Sequence, residues 1–258
     1  MVFKALILAF IQSVTEFLPI SSSGHLLLVE KLFSLKEFGL SFNVLIHLGS
    51  ALALIIFFAK DWLEIFKNAR ENFFASLLFK IIIALVPALI FGLILEKFQP
   101  VFWQSKYLVI FNLIFFGLIL LWADKHNGEK ATEKLSLKQI FLIGIFQALA
   151  LIPGVSRSGV TITIALFLGL TRKESARFSF LLATPAILGA NLLELSNLSG
   201  NVESVLSIYL IGFLASFILS YITIAWFLKY LQKNKLWPFA IWRFIIAIAA
   251  ILLIIFIQ

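Results

Sequence analysis

Gln12-Ser-Val-Thr-Glu-Phe-Leu-Pro-Ile-Ser-Ser-Ser-Gly24 returns 135 residues later as Gln147-Ala-Leu-Ala-Leu-Ile-Pro-Gly-Val-Ser-Arg-Ser-Gly159. Gln12 falls on Gln147, Ser21 on Ser156, Ser23 on Ser158 and Gly24 on Gly159, while Pro19 and Pro153 miss by one position. The following segments align at an offset of 136, with Phe42-Asn-Val-Leu45 over Phe178-Ser-Phe-Leu181. In both copies a proline and a serine-rich turn interrupt an apolar run. Interrupted apolar segments at matching places in two halves of a chain point to a binding site where the repeats meet.

The surroundings of these segments are apolar throughout. Of the 258 residues, 62% are hydrophobic and only 13% charged, and phenylalanine alone occurs 29 times. A soluble domain carries about 45–50% apolar and about 25% charged residues, so this chain has more apolar surface than its own core can hide, and lipid must cover the rest. The absence of cysteine excludes disulfides, thiolate metal sites and cysteine nucleophiles. The net charge of +8 fits loops beside an anionic leaflet better than a nucleic-acid surface.

Six runs are predicted to span: Phe42–Ala59, Leu77–Leu95, Tyr107–Trp122, Phe178–Leu193, Leu206–Leu228 and Phe239–Ile257. Val2–Leu18, Leu26–Phe33, Ile140–Ile152 and Val160–Leu170 are too short or too broken to cross, and they read as two re-entrant helix hairpins. Val2–Leu18 is not a signal peptide, because Glu16 interrupts it and no small-residue cleavage site follows. The expected fold is an all-α polytopic membrane protein of six transmembrane helices and two re-entrant hairpins. It forms one membrane domain over residues 1–258, made of a repeat 1–123 and an inverted repeat 136–258 joined by a polar connector 124–135. Three spans per half is an odd number, so the second half is inverted and both termini share one side. Loops 60–80, 125–138, 172–177 and 229–235 carry fourteen Lys and Arg residues, against five on the termini side, so the termini are expected outside.

The chemistry gathers in the interrupted segments. Glu16 lies one helical turn after Gln12 on the same face, and an ionised carboxylate at membrane depth costs about 2.5–3.5 kcal/mol unless it finds a partner, a cation or water; capping the adjacent turn is the plainer role. Ser21, Ser22, Ser23 and His25 place hydroxyls and an imidazole in a helix break, as a simple turn and cap or as a nucleophile beside an acid–base group. Ser156, Arg157, Ser158 and Thr161 open a short helix, where exposed amides, the helix dipole and a planar guanidinium suit phosphate oxygens. Arg157 paired with Glu16 is the alternative, and the two are compatible in an empty site. His47 and His126 read as structural, the 172–177 stretch as a solvated loop, and the connector as free of chemistry.

These residues resemble the undecaprenyl-diphosphatase, or bacitracin-resistance protein, family: Gln12-x-x-x-Glu16, Pro-Ile-Ser-Ser-Ser-Gly-His25 and Pro-Gly-Val-Ser-Arg-Ser-Gly159 stand in the right order, and Phe-Ser-Phe-Leu-Leu-Ala-Thr-Pro185 and Pro-Phe-Ala-Ile-Trp-Arg243 extend the likeness over the chain. The resemblance implies a bacterial inner-membrane phosphatase that converts undecaprenyl diphosphate to undecaprenyl phosphate and inorganic phosphate, opens to the outer side and confers bacitracin resistance. It implies Mg²⁺ or Ca²⁺, held by Glu16 with Gln12 as a weaker ligand, since position 12 supplies an amide where other members have a second carboxylate. Glu16, Ser22, His25 and Arg157 are then the catalytic candidates, and Gln12, Ser21, Ser23, Ser156, Ser158 and Thr161 the substrate-binding ones. Either Ser22 or an activated water attacks. The partners expected are the polyprenyl diphosphate and membrane lipids, without nucleic acid; a homodimer is left open. The rival reading is a polyprenyl-phosphate flippase or transporter built on the same repeats.

Overall fold

Long apolar runs fold as helices here because lipid offers no hydrogen bonds, so each backbone segment must satisfy its own N–H and C=O groups. A computed structural model describes residues 1–26, 39–98, 105–126, 128–195 and 206–256. Among them the chain is helical and lacks β-strands, with one isolated bridge between Lys130 and Leu170. The helices are α1 (Val2–Thr15), α2 (Gly39–Phe57), α3 (Ala59–Glu71), α4 (Leu77–Phe98), α5 (Lys106–Ala123), α6 (Leu137–Leu149), α7 (Arg157–Phe167), α8 (Arg172–Leu195), α9 (Leu206–Tyr230) and α10 (Trp237–Phe256).

Four of these, α4, α5, α9 and α10, are long and apolar enough to cross a membrane, and α2 with α3 makes a fifth if the bent pair is one span. The expected run to Ala59 therefore does not end in a loop. At Phe58 the chain bends by 68° into α3, whose Ile65 is buried while Lys67 and Glu64 are exposed. α8 is more polar than the other long helices for a positional reason. Phe178, Phe180, Leu181, Leu182 and Ala183 are all buried, and Ser179, Thr184 and Asn191 are buried beside them. A helix wrapped by protein can carry polar groups that a lipid-facing helix cannot, and Thr184 and Asn191 return their hydrogen bonds to carbonyls on their own helix. The predicted return segment Leu26–Phe33 lies mostly outside the described residues; helix is seen from Ser22 to Leu26.

Without a strong hydrophobic force between helices in lipid, packing depends on small residues and interhelical hydrogen bonds. The seam between α1, α2 and α9 has both. Ser50 Oγ lies 3.1 Å from Ser216 Oγ and 2.9 Å from Ser220 Oγ, Ser13 Oγ reaches Ser216 O at 3.2 Å, and Ser216 Oγ donates to Ile46 O at 2.5 Å. Gly49 and Gly212 let α2 and α9 approach closely. α1 packs on α9 as α6 packs on α4, and α5 packs on α10.

At the opposite end, one expectation about the loops is corrected. The 172–177 stretch is the first turns of α8 rather than a solvated loop, because its arginines have buried or half-buried partners. Arg177 pairs with Asp61 at 2.6 Å. Arg172 Nε donates to Asp124 Oδ1 at 2.6 Å, while Asp124 Oδ2 accepts from Leu236 N and Trp237 N at 2.9 and 3.0 Å. Asp124 thus caps α10 and ties the ends of α5, α8 and α10 together. Breaking a buried ion pair from one side costs about 3–5 kcal/mol. Asp124→Ala should therefore lower the thermal unfolding midpoint in detergent well below that of Glu129→Ala, whose side chain is exposed.

Candidate active site

Two helix breaks meet in the middle of the molecule. α1 stops at Thr15 and the chain turns through Pro19 before helix resumes at Ser22; α6 stops at Leu149 and turns through Pro153 before α7 starts at Arg157. The two turns share unusual local geometry. Ser21 has φ 72° and Ser156 φ 73°, the only non-glycine residues with positive φ among those described. Ser21 Oγ accepts from Gly24 N at 3.4 Å and contacts Ser23 Oγ at 3.1 Å. Ser156 Oγ accepts from Gly159 N at 3.2 Å and contacts Ser158 Oγ at 3.3 Å.

The turns are also locked to each other. Ser23 Oγ accepts from Gly154 N at 2.9 Å, and Ser158 Oγ donates to Leu18 O at 3.0 Å. α5 supports the second turn through Asn112 Nδ2, which donates to Pro153 O at 2.8 Å. Gly154 is required there: its φ is +92°, and a Cβ would come 2.6 Å from Val109 O on α5.

The charged groups converge beside this junction. Arg157 Nη2 donates to Glu16 Oε1 at 2.7 Å, and the two side chains are 14% and 12% exposed. Gln12 Nε2 donates to Glu16 Oε2 at 3.0 Å, so both carboxylate oxygens are engaged. Arg157 Nη1 donates to Ser179 O at 3.3 Å, and Thr161 Oγ1 lies 2.7 Å from Ser179 Oγ. Gln12 Oε1 is buried without a partner among the described residues, as is the whole side-chain amide of Gln147, its counterpart in the second half. A buried orphan acceptor next to a carboxylate matches the donor set of a hard divalent cation, which takes one or two protein oxygens and completes its shell with phosphate and water.

Structure therefore brings Gln12, Glu16, Arg157 and Thr161 into one network. It uses Ser23 and Ser158 as cross-links, and Ser21 and Ser156 as caps. Ser22 is partly exposed, and its hydroxyl has no hydrogen bond among the described residues. His25 faces elsewhere. Its Nδ1 lies 2.7 Å from Ser21 O, and its Nε2 accepts from Trp242 Nε1 at 2.8 Å. Indole N–H only donates, so Nε2 carries the lone pair and Nδ1 the proton.

The family described as Bacitracin resistance protein BacA matches residues 5–249. The chain belongs to this family. It is 40% identical over 257 residues to an undecaprenyl-diphosphatase of Pelotomaculum thermopropionicum, covering 98% of this chain and 96% of that one. It is 38% identical over 254 residues to an undecaprenyl-diphosphatase of Elusimicrobium minutum, covering 97% and 96%.

Within this bacitracin-resistance family member, four contributors were not read from sequence: Asn112, Ser179, Trp242 and Arg243. All four act through partners eighteen or more positions away, which no local motif reveals. Arg243 had a usable signal, since an arginine inside an apolar helix is a functional-site hypothesis by default. The turn geometry predicts an asymmetry between two glycines. Gly154→Ala should prevent assembly of the site and lower the unfolding midpoint, since the positive φ alone costs on the order of 1–2 kcal/mol before the clash with α5. Gly189→Ala, whose Cβ would meet nothing within 4 Å, should leave the midpoint and the activity unchanged.

Proposed function

We infer that the chain is an integral-membrane phosphatase that hydrolyses undecaprenyl diphosphate to undecaprenyl phosphate and inorganic phosphate, recycling the lipid carrier and conferring bacitracin resistance. The observation that carries the reading is the meeting of Arg157, a helix N-terminus and two serine turns beside Glu16, in a chain of this family. Hydrolysis of a phosphate anhydride depends mostly on neutralising charge on the transferred phosphoryl group. Arg157 supplies a planar fork, and as the first residue of α7 it stands at the positive end of that helix.

Glu16 pairs with the guanidinium that phosphate would take. Arrival of the diphosphate displaces the carboxylate, which leaves Glu16 and Gln12 Oε1 as the side chains to hold a Mg²⁺ or Ca²⁺ ion; when bound, that ion supplies charge neutralisation. Ser22 Oγ is the nucleophile: its bond to the terminal phosphorus forms as the bond to undecaprenyl phosphate breaks. The hydroxyl proton passes to His25 Nε2 once Trp242 releases it. Water then cleaves the phosphoserine. Grooves between helices take the polyprenyl tail.

The measurement is phosphate release by the purified chain in detergent with undecaprenyl diphosphate. Release should be abolished by a chelator, fall about 10²–10³-fold in Arg157→Lys, as for loss of one preorganised anion donor, and vanish in Ser22→Ala. Residual turnover in Ser22→Ala would favour water as the attacking group; no release by the native chain would favour the flippase reading.

The architecture we propose is six spans and two re-entrant hairpins related by an inverted repeat, 1–123 and 136–258. The paired turns at Ser21 and Ser156, and the matched packing of α1 on α9 and α6 on α4, support it. The positive-inside asymmetry supports both termini on the outer face of the bacterial inner membrane, and the family resemblance supports a site that opens on that same side. With no native cysteine, Lys106→Cys should react with an impermeant thiol reagent on intact cells and Lys134→Cys should not; the opposite pattern would invert the topology.

A further inference from the structure

Arg243 is an interior charge without a counter-ion. Its side chain is 1% exposed, yet among the described residues no carboxylate pairs with it, whereas Arg157, Arg172 and Arg177 each face one. Every bond it makes goes to a main-chain carbonyl. Nε donates to Leu113 O at 3.1 Å. Nη1 donates to Val155 O at 3.2 Å and Pro19 O at 3.5 Å. Nη2 donates to Gly154 O at 2.9 Å, Asn112 O at 3.0 Å and Val155 O at 3.2 Å.

These carbonyls come from three separate pieces of chain. Pro19 belongs to the first break, Gly154 and Val155 to the second, and Asn112 and Leu113 to α5. The guanidinium also underlies the first turn of α7, where a Cβ on Gly159 would come 3.3 Å from Nη1. All three nitrogens are thus occupied by the protein, and none is left for a phosphate.

We propose that Arg243 is a positioning residue for hydrolysis: it sets the distance and angle between the two serine turns, and so between Arg157 and Ser22, without touching substrate. The inference rests on the reading of those turns as the phosphate site. Stability alone does not account for an arginine here, because a buried unpaired charge costs more than an apolar residue of similar volume that packs well. A rigid five-donor fork does what no apolar side chain can, which is to hold carbonyls of three chain segments at fixed spacing. Lysine keeps the charge but has three donors on one atom and cannot reach all three segments together.

The test compares native protein with Arg243→Lys and Arg243→Met, purified in detergent, with turnover counted per folded molecule from gel filtration and thermal unfolding. Turnover number should fall about 10-fold in Arg243→Lys and about 100-fold in Arg243→Met, the scale of a misplacement near 1 Å, while the half-saturating undecaprenyl diphosphate concentration stays within about 2-fold. Combined with Ser23→Ala, which removes the other tie to Gly154, the losses should be less than multiplicative. A purely structural arginine would lower the unfolding midpoint and leave turnover per folded molecule native, and that result overturns the proposal. If neither variant is recovered folded, Arg243→Gln, a shorter side chain with two donors on one nitrogen, takes their place; the same selective loss of turnover number is expected, and full turnover per folded molecule overturns the proposal. Native protein that releases no phosphate would sink the hydrolase reading itself, whereas native release with unimpaired Arg243 variants sinks this inference alone.

Discussion

The reciprocal bonds between the two helix breaks are what the rest of the molecule depends on. A break inside an apolar layer frees peptide groups that lipid cannot satisfy, and each orphan costs several kcal/mol. Here each break uses the other as its partner: Ser23 takes the amide of Gly154, and Ser158 reaches the carbonyl of Leu18. The equivalent serines of the two turns thus serve equivalent places in the opposite turn. Buried irregular backbone becomes tolerable here because it comes as a pair, and the same pairing puts two serine-rich turns in one place.

That constraint orders the charges. Near the ends of the helices, Asp124 with Arg172 and Asp61 with Arg177 make ion pairs that fasten α3, α5, α8 and α10. In the interior, Glu16 and Arg157 neutralise each other at 2.7 Å. An isolated guanidinium at this burial would be costly, and the Glu16 carboxylate offsets that cost and holds the arginine in place. Gln12, by donating to the second oxygen, orients that carboxylate without adding a second negative charge to repel the diphosphate.

Much of this was legible in the sequence. The six long runs all fall on helices, α2, α4, α5, α8, α9 and α10, and four of these, α4, α5, α9 and α10, are long and apolar enough to cross a membrane. Proline and serine marked both breaks. What escaped was set by distance rather than by local pattern. The bend at Phe58 follows no proline, and the amphipathic α3 after it looks in sequence like a charged loop. Asp124 reads as one acid among many in a polar connector until Leu236 and Trp237 arrive from 112 and 113 residues away. The seam through Ser13, Ser50, Ser216 and Ser220 is spread over three helices, each serine unremarkable in its own run. At the site, the sequence already suggests the pairing of Glu16 with Arg157, but the turn of His25 toward Trp242 depends on a contact 217 positions apart.

The serines at positions 21 and 156 show why stability alone does not choose these turns. Positive φ in a residue with a Cβ costs on the order of 1–3 kcal/mol, and glycine would remove that strain. The serine hydroxyl caps the following helix, with Ser156 Oγ accepting from Gly159 N and Ser21 Oγ from Gly24 N, but measured against glycine such a cap is worth only about a few tenths of a kcal/mol. The strain outweighs the cap, so serine is the less stable choice by this account. What serine adds is direction. A hydroxyl that fixes the amide three residues on also fixes how the start of the helix is turned, and successive amides held in a turn form an anion-binding concavity. Strain of this kind persists where the surroundings over-determine it, and here they do: the opposite turn, α5 and Arg243 all hold the second break, so the conformation is maintained by contacts outside the strained residues themselves.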